Sequence, residues 1–175
     1  MINLWESSGA AICVIVGVQM LRTFVEKRKI RSDFDYAMRV VAKEAVRRAN
    51  AEHNVDLDFA ASSIKHLEEM LGKIHCGHMK KRLSEKDLSL QSIRWGAYIG
   101  EVIKWVRPGK WKRDSEQAGR GTMPVVFDSS NEAFPCSWVY KRIADGPDDN
   151  IVFKFQFSSD PNLRKLLDST PKAVT

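Results

Sequence analysis

The sequence predicts an α+β fold, in which three or four N-terminal helices pack on a small antiparallel sheet that carries one further short helix. Two observations predict this fold. Apolar residues recur at helical spacing as far as residue 106, whereas Pro, Gly and β-forming residues dominate after it. Helices and strands that are segregated along a chain are typical of α+β domains, whose strands pair antiparallel.

Length and composition set the size of the domain. The 175 residues are 43% hydrophobic and 29% charged, which suffices for one core and excludes a disordered chain or a multi-span membrane protein. Three cysteines without paired spacing exclude a disulfide framework. We expect a single α+β domain over residues 31–160, preceded by an apolar helix over residues 1–30 and followed by a tail over residues 161–175.

The apolar N-terminal run leaves two interpretations open. Residues 7–21 (SSGAAICVIVGVQML) carry no charge and span roughly 22 Å as a helix, short of the bilayer core of about 30 Å. Flanking apolar residues extend the run, and basic residues follow it from Arg22 onward. This order disfavours a cleaved signal peptide. It favours a single anchor over residues 7–25 with the rest of the chain in the cytoplasm, and the alternative is a buried core helix.

Two amphipathic helices follow. Residues 33–51 place an apolar stripe on one face, and Ser32 or Asp33 is a suitable N-cap. Residues 57–74 form the second helix on the same criterion. The sequence HCGHMKKRL, residues 75–83, interrupts the pattern.

The third helix begins after Ser84 and ends at about residue 106, before the Arg-Pro-Gly of residues 107–109. It is apolar on nearly all sides, so we expect it to be the central buried helix. Gly96 and Gly100 lie on one face of it and permit the close approach of another backbone.

The remaining elements are short. Trp111 lies in a candidate strand, residues 124–128 (PVVFD) form a strand, and residues 128–132 (DSSNE) form a turn. Pro135 opens a short helix. In IVFKFQF, residues 151–157, every second residue from Ile151 is apolar, and this pattern predicts the clearest strand in the sequence.

No complete catalytic motif is present, so we predict no enzymatic activity, no metal and no cofactor. His75, Cys76 and His78 lie close together, but structural zinc needs a second pair of ligands that the sequence lacks. Cys136 stands at a helix start, where the pKa of a thiol can fall, but most buried cysteines are inert.

Glu101, flanked by apolar residues, needs a cationic partner if it is buried. Arg94, Lys104 and Arg142 are candidates, and we predict a structural ion pair between Glu101 and Arg142.

The 28 Lys and Arg residues exceed the 22 Asp and Glu residues and give a net charge of +6, which suits an acidic partner. The stretch KWVRPGKWKR, residues 104–113, interleaves two tryptophans with five basic residues. Such a stretch can bind nucleic acid, but we favour the interpretation that Trp105 and Trp111 are core residues and the basic side chains are solvated.

We expect the partner to be another protein, bound through exposed aromatic and arginine side chains, which dominate protein interfaces. The polar, Gly-bearing loop of residues 114–122 is a natural place for recognition. The candidate partner-binding residues are Trp111, Arg113, Arg120 and Trp138.

One pattern resembles a known group. The octapeptide GAYIGEVI at residues 96–103 precedes Trp111, Pro124, Pro135, Lys141-Arg142-Ile143 and Gly146. This pattern, over about residues 60–157, resembles a group of uncharacterised bacterial α+β domains that are similar to immunity or accessory proteins of toxin systems. The resemblance implies no site residues.

The resemblance implies a non-enzymatic protein-interaction domain, whose partner is conceivably a toxin that it neutralises. Taken with the anchor interpretation of residues 7–25, it places the protein at the bacterial inner membrane with a cytoplasmic domain. The core-helix interpretation makes the protein cytoplasmic. The alternative function is the binding of nucleic acid or anionic lipid by the basic clusters.

Overall fold

The computed structural model describes residues 25–128 and 131–159, which are mostly helical and include a small antiparallel sheet. This arrangement confirms the α+β class at that coarse level. Residues 25–32 are helical and lead into the first full helix. The elements that follow are, in chain order, α1 (Phe34–His53), α2 (Ser63–Lys80), α3 (Glu85–Val106), β1 (Lys110–Trp111), β2 (Val125–Asp128), β3 (Asn131–Ala133), α4 (Pro135–Ala144), a 3-10 turn (Pro147–Asp149) and α5 (Ile151–Ser159).

Helix α3 is the central element, as its all-round apolar sequence predicts. Every residue from 95 to 103 is buried, and the helix packs against both α1 and α4. A Cβ at Gly96 would lie 2.5 Å from the Cα of Cys136, and a Cβ at Gly100 would lie 2.0 Å from Cζ2 of Trp111. The two glycines therefore let α4 and β1 touch the backbone of α3.

Side-chain caps fix the first and third helices where the sequence predicts them. Asp33 accepts a hydrogen bond from the backbone N–H of Tyr36 at 3.0 Å. The hydroxyl of Ser84 accepts from the backbone N–H of Asp87 at 3.1 Å and donates to its carboxylate at 2.6 Å. These contacts satisfy N–H groups that a helix start leaves without partners.

The second helix begins later than predicted. Its expected range, residues 57–74, is wrong, because α2 runs over Ser63–Lys80. Asp58 does not cap a helix; its carboxylate accepts the N–H of Ala60 at 2.9 Å within a turn. Phe59 has a φ of +64°, outside helical geometry, so the chain cannot enter the helix at this point.

The same helix also continues through the segment that was expected to break it. Within residues 75–83, Gly77 is helical and exposed, and the helix ends only at Lys80. The ring of His78 is buried, and its Nδ1 accepts the backbone N–H of Leu83 at 3.1 Å. The His78 side chain, in the last turn, thus bonds to the backbone just beyond the end of the helix.

The strand expected over residues 151–157 is wrong, because these residues belong to helix α5. The side-chain oxygen of Asn150 accepts the N–H groups of two residues in the first turn, at 2.9 and 3.2 Å. Glu68 accepts the N–H of Ile151 at 3.0 Å. Ile151 and Phe155 are the buried residues of α5, four apart, as on one helical face.

The three strands form one sheet in the order β1–β2–β3. Trp111 pairs with Val125, and Val125 pairs with Ala133. The predicted strands at Trp111 and residues 124–128 are confirmed. The turn expected over residues 128–132 is wrong in part, because residues 131–133 form β3 while residues 129 and 130 lie outside the described range.

The anchor predicted over residues 7–25 and the tail predicted over residues 161–175 lie outside the described residues, apart from residue 25. Of the N-terminal helix predicted over residues 1–30, the described part, residues 25–30, is helical. Within residues 25–128 and 131–159, no helix has both the length and the apolarity needed to cross a membrane.

Candidate functional site

A groove of about 780 Å³ lies between α3, α4 and the loop before β2, hereafter the α3–α4 groove. It is within the size range of ligand pockets in proteins. Apolar side chains form much of its wall, and hydroxyls and charged groups complete it. The apolar members are Ile93, Met123, Phe134 and Trp138, and the polar ones include Ser89, Ser137, Tyr140 and Lys141.

The loop that borders the groove is held by its own hydrogen bonds. Ser115 forms an antiparallel bridge with Gly119. The Ser115 hydroxyl accepts the N–H groups of residues 117 and 118 at 3.0 and 2.9 Å. Asp114 accepts the N–H of Gly121 at 2.7 Å. Met123, which lines the groove, has a φ of +48°, a conformation that non-glycine residues rarely adopt. The loop therefore presents a defined backbone to the groove.

Cys136 lies at the start of α4, in the wall of the groove. Burial raises the pKa of its thiol to about 12, since a buried thiolate loses the solvation that stabilises its charge. A helix start can lower the pKa of a thiol, but the close approach of α4 to α3 at Gly96 buries this sulfur. The thiol is therefore protonated at neutral pH and is a poor nucleophile.

The predicted partner-binding residues divide between the surface and the core. Trp138 is partly buried and lines the α3–α4 groove. Arg120 is exposed in the loop beside the groove, and Arg113 is exposed with its guanidinium 5.1 Å from the centre of the Phe34 ring. Trp111 is only 4% exposed, so its assignment as a partner contact is wrong.

Trp111 belongs instead to a network around the buried carboxylate of Glu101, here called the Glu101 network. Glu101 Oε1 accepts the indole N–H of Trp111 at 3.0 Å and a hydrogen bond from Lys104 Nζ at 2.9 Å. Lys104 also donates to Asp35 at 2.6 Å, and Asp35 accepts the backbone N–H of Trp111 at 2.9 Å. Arg39 Nε lies 3.4 Å from the second oxygen of Glu101. The network joins α1, α3 and β1.

The ion pair predicted between Glu101 and Arg142 is wrong. Arg142 is buried and donates through Nε to Glu68 at 2.6 Å, since α4 also packs against α2. Glu101 lies on the part of α3 that meets α1, so its cations are Lys104 and Arg39. Sequence spacing indicates Lys104, three residues away on the same helix, but no local pattern indicates Asp35 or Glu68.

The same network perturbs the titration of Asp35. Burial alone raises the pKa of its carboxyl. The hydrogen bonds from Lys104 and Trp111 and the charges of Lys104 and Arg39 together outweigh burial, so the pKa falls below its ordinary value of 3.8. The ionised carboxylate is thus the form that the folded protein favours.

A second concavity, of about 430 Å³, lies over the Glu101 network and is here called the Trp105 pocket. Trp105 is 78% exposed, so the expectation that it is a core residue is wrong. Two residues that line this pocket, Arg39 and Lys43, come from α1, and a third, Phe59, comes from the loop before α2. The pocket is lined by Arg39, Lys43, Phe59, Glu101, Lys104 and Trp105.

His75, Cys76 and His78, which are close in the sequence, have separate environments in the structure. His75 donates from Nδ1 to the carbonyl of Ile143 at 2.8 Å, and His78 accepts from Leu83. Cys76 is exposed. Among residues 25–128 and 131–159, no group of three His, Cys, Asp or Glu side chains is placed to hold a metal ion.

Comparison of the chain with protein-family models, with curated proteins and with solved structures gave no match.

Proposed function

We propose that this chain is a non-enzymatic protein-interaction domain that binds a segment of a partner protein in the α3–α4 groove. The observation that supports the proposal is the groove itself, about 780 Å³ in volume, with Trp138 and Phe134 in its wall. Large aromatic side chains in a concavity, surrounded by polar groups, are the usual composition of an interface hot spot.

The hydrogen bonds of the loop give the groove a second property that binding needs. A loop that is ordered before binding loses less conformational entropy when the partner arrives. The bridge between Ser115 and Gly119 and the bond from Gly121 to Asp114 provide that order. Arg120, exposed in this loop, is a peripheral contact, whereas Trp138 is the central one.

The proposal of a binding role in place of catalysis is supported by two side chains. The Cys136 thiol lies in the groove wall, and burial keeps it protonated. The Glu101 carboxylate is held by Lys104, Arg39 and the Trp111 indole, an arrangement typical of a structural ion network.

The class of partner follows from the resemblance of residues 60–157 to immunity and accessory domains. On that basis the proposed partner is a bacterial toxin that the domain neutralises. The proposed location is the cytoplasmic face of the bacterial inner membrane, through an anchor over residues 7–25. This proposal is supported only by the uncharged sequence of residues 7–21 and the basic residues after it.

Binding of nucleic acid or anionic lipid is less well supported than binding of a protein. In the basic stretch of residues 104–113, Lys104 is held between two carboxylates. The guanidinium groups of Arg107 and Arg113 lie over the rings of Phe127 and Phe34. The stretch therefore does not present a continuous row of cations, which phosphate binding uses.

The test is photo-crosslinking in bacterial cells followed by titration. A benzophenone amino acid replaces Ser137, in the groove, or Lys65, exposed on α2. Any protein that crosslinks only from position 137 is purified and titrated with the full-length chain, with Ser137→Trp, which fills the groove, and with Lys65→Trp as the control. We expect Ser137→Trp to weaken binding by about tenfold or more, which is about 1.4 kcal/mol. Equal crosslinking from both positions, or equal affinity of the two variants, would contradict the proposal.

A further inference from the structure

We propose that the Trp105 pocket is a second binding site, which takes an acidic segment of a partner protein. An aromatic or large apolar side chain of that segment packs on Trp105 and Phe59, and an adjacent carboxylate pairs with Lys43 and Arg39. This site does not depend on the α3–α4 groove.

The charges of the pocket argue for an anionic ligand. Arg39, Lys43 and Lys104 supply three positive charges, and Asp35 and Glu101 supply two negative ones. Lys104 is held between both carboxylates, and Arg39 lies 3.4 Å from each of them. Among residues 25–128 and 131–159, no acidic side chain pairs with Lys43, which is exposed. One positive charge is thus left for a ligand.

The exposure of Trp105 argues for an aromatic or apolar contact beside that charge. Its side chain is 78% exposed, and the next residue, Val106, is 50% exposed. Tryptophan and arginine are the residues most enriched in binding hot spots. The pocket offers both of them, with Lys43 beside them.

The backbone of Phe59 supplies an independent observation. Its φ of +64° is rare for an aromatic residue, and such conformations persist where the surroundings enforce them, often at binding sites. The Phe59 N–H donates to the Tyr98 hydroxyl at 2.9 Å, and the two rings lie 5.0 Å apart. The structure thus holds the Phe59 side chain at the wall of the pocket.

The pocket and the groove are separate along α3. The groove uses residues 89–93 of this helix and the pocket uses residues 101–105. Ser92 and Lys104 are twelve positions apart, which is about 18 Å along a helix. A ligand in one concavity therefore leaves the other accessible.

A protein segment suits the pocket better than nucleic acid does. The Asp35 and Glu101 carboxylates lie beneath the same surface as the cations, and they oppose the close approach of successive phosphates. A single net positive charge matches a single carboxylate, whereas nucleic-acid sites neutralise several phosphates at once.

The experiment is calorimetric titration of the full-length chain with synthetic peptides. The probe is the capped hexapeptide Gly-Gly-Phe-Glu-Phe-Gly. Its comparators carry Gln in place of the acid, or Ala in place of Phe. We expect the probe to bind about tenfold or more tighter than either comparator.

The variants locate the binding. Trp105→Ala and Lys43→Glu each weaken the binding of the probe by about tenfold or more, because each removes one of its two contacts. The matched controls, Phe153→Ala on the exposed face of α5 and Lys65→Glu on α2, change it by less than about twofold. All four substitutions are at exposed positions, so each variant should fold.

Three outcomes would overturn the proposal. The first is binding of the probe that Trp105→Ala leaves unchanged, and the second is no binding of the probe at all. The third is tighter binding of an oligothymidine of about fifteen nucleotides, with an affinity that falls steeply as salt rises. The third outcome would assign the pocket to single-stranded nucleic acid.

Discussion

Trp105 and Trp111 lie in one short basic stretch, yet they occupy opposite environments. Trp111 is 4% exposed and Trp105 is 78% exposed. Trp111 has an acceptor for its indole N–H, the Glu101 carboxylate at 3.0 Å, and space for its ring over Gly100. Trp105 lies in the last turn of α3, where residues 104–106 leave the core. A buried acceptor and a glycine on a neighbouring element thus decide whether a tryptophan is structural or available for binding.

We expect the largest loss of stability from a substitution that fills the space under Trp111. In Gly100→Ala, the new Cβ would lie 2.0 Å from the Trp111 ring, so ring or helix must shift, at a cost of about 3 kcal/mol or more. Gly77→Ala is the matched control, since a Cβ there meets nothing within 4 Å and alanine favours a helix by up to about 1 kcal/mol. Urea unfolding of both variants measures the difference, and similar stabilities would contradict the close packing of α3 on β1.

We expect the next largest loss of stability from removing the charge of Glu101. Glu101→Gln keeps an acceptor for the Trp111 indole but weakens the bonds from Lys104 and Arg39. Bonds to a charged group contribute more than neutral ones, so we expect a loss of about 2 kcal/mol in the free energy of unfolding. Glu69→Gln, exposed on α2, should change stability by less than about 0.5 kcal/mol. Equal changes would mean that the network contributes nothing to the fold.

A smaller effect concerns acid stability. The pKa of Asp35 is below 3.8 in the folded protein, so its carboxylate stabilises the fold above its unfolded pKa. That contribution is lost as the pH falls through the folded value. We expect Asp35→Asn to lower stability at neutral pH and to reduce the loss of stability below about pH 4. Thermal unfolding at successive pH values measures this, and an unchanged acid limb would contradict the assignment.

The sequence predicts the elements whose ends are set by nearby residues. Asp33 caps α1 and Ser84 caps α3 through bonds to residues three positions along the chain, and sequence inspection can find such short-range signals. The all-round apolar pattern of α3 likewise predicts its central place. The glycines at 96 and 100 indicate close packing, although only the structure identifies the partners as Cys136 and Trp111.

The sequence does not predict the elements whose ends depend on distant contacts. Every second residue of 151–157 is apolar, as in a strand, yet these residues form helix α5. Glu68, far away in the chain, accepts the first N–H of that helix. Helix α2 starts late because the Tyr98 hydroxyl holds Phe59 in a left-handed conformation. Neither contact leaves a signal near the residues that it controls.

The candidate sites also include features that nearby sequence signals indicate and features that depend on distant contacts. The sequence indicates the loop of residues 114–122 and Trp138 as candidate binding elements, and both lie beside the α3–α4 groove. Their role in binding stays a prediction. The Trp105 pocket was missed, because an apolar helix with a tryptophan in its last turn predicts a core residue. The exposure of Trp105 depends on how α1 and the loop at Phe59 pack beside the end of α3, which sequence spacing does not show.

The central claim is that Trp111 serves the fold while Trp105 is available for binding. Urea unfolding of the full-length chain, of Trp105→Ala and of Trp111→Phe tests it most directly. We expect Trp105→Ala to stay within about 0.5 kcal/mol of the parent. Trp111→Phe should lose about 2 kcal/mol or more, because it leaves the Glu101 carboxylate without one of its buried donors. Equal losses in the two variants, or a larger loss for Trp105→Ala, would contradict the claim.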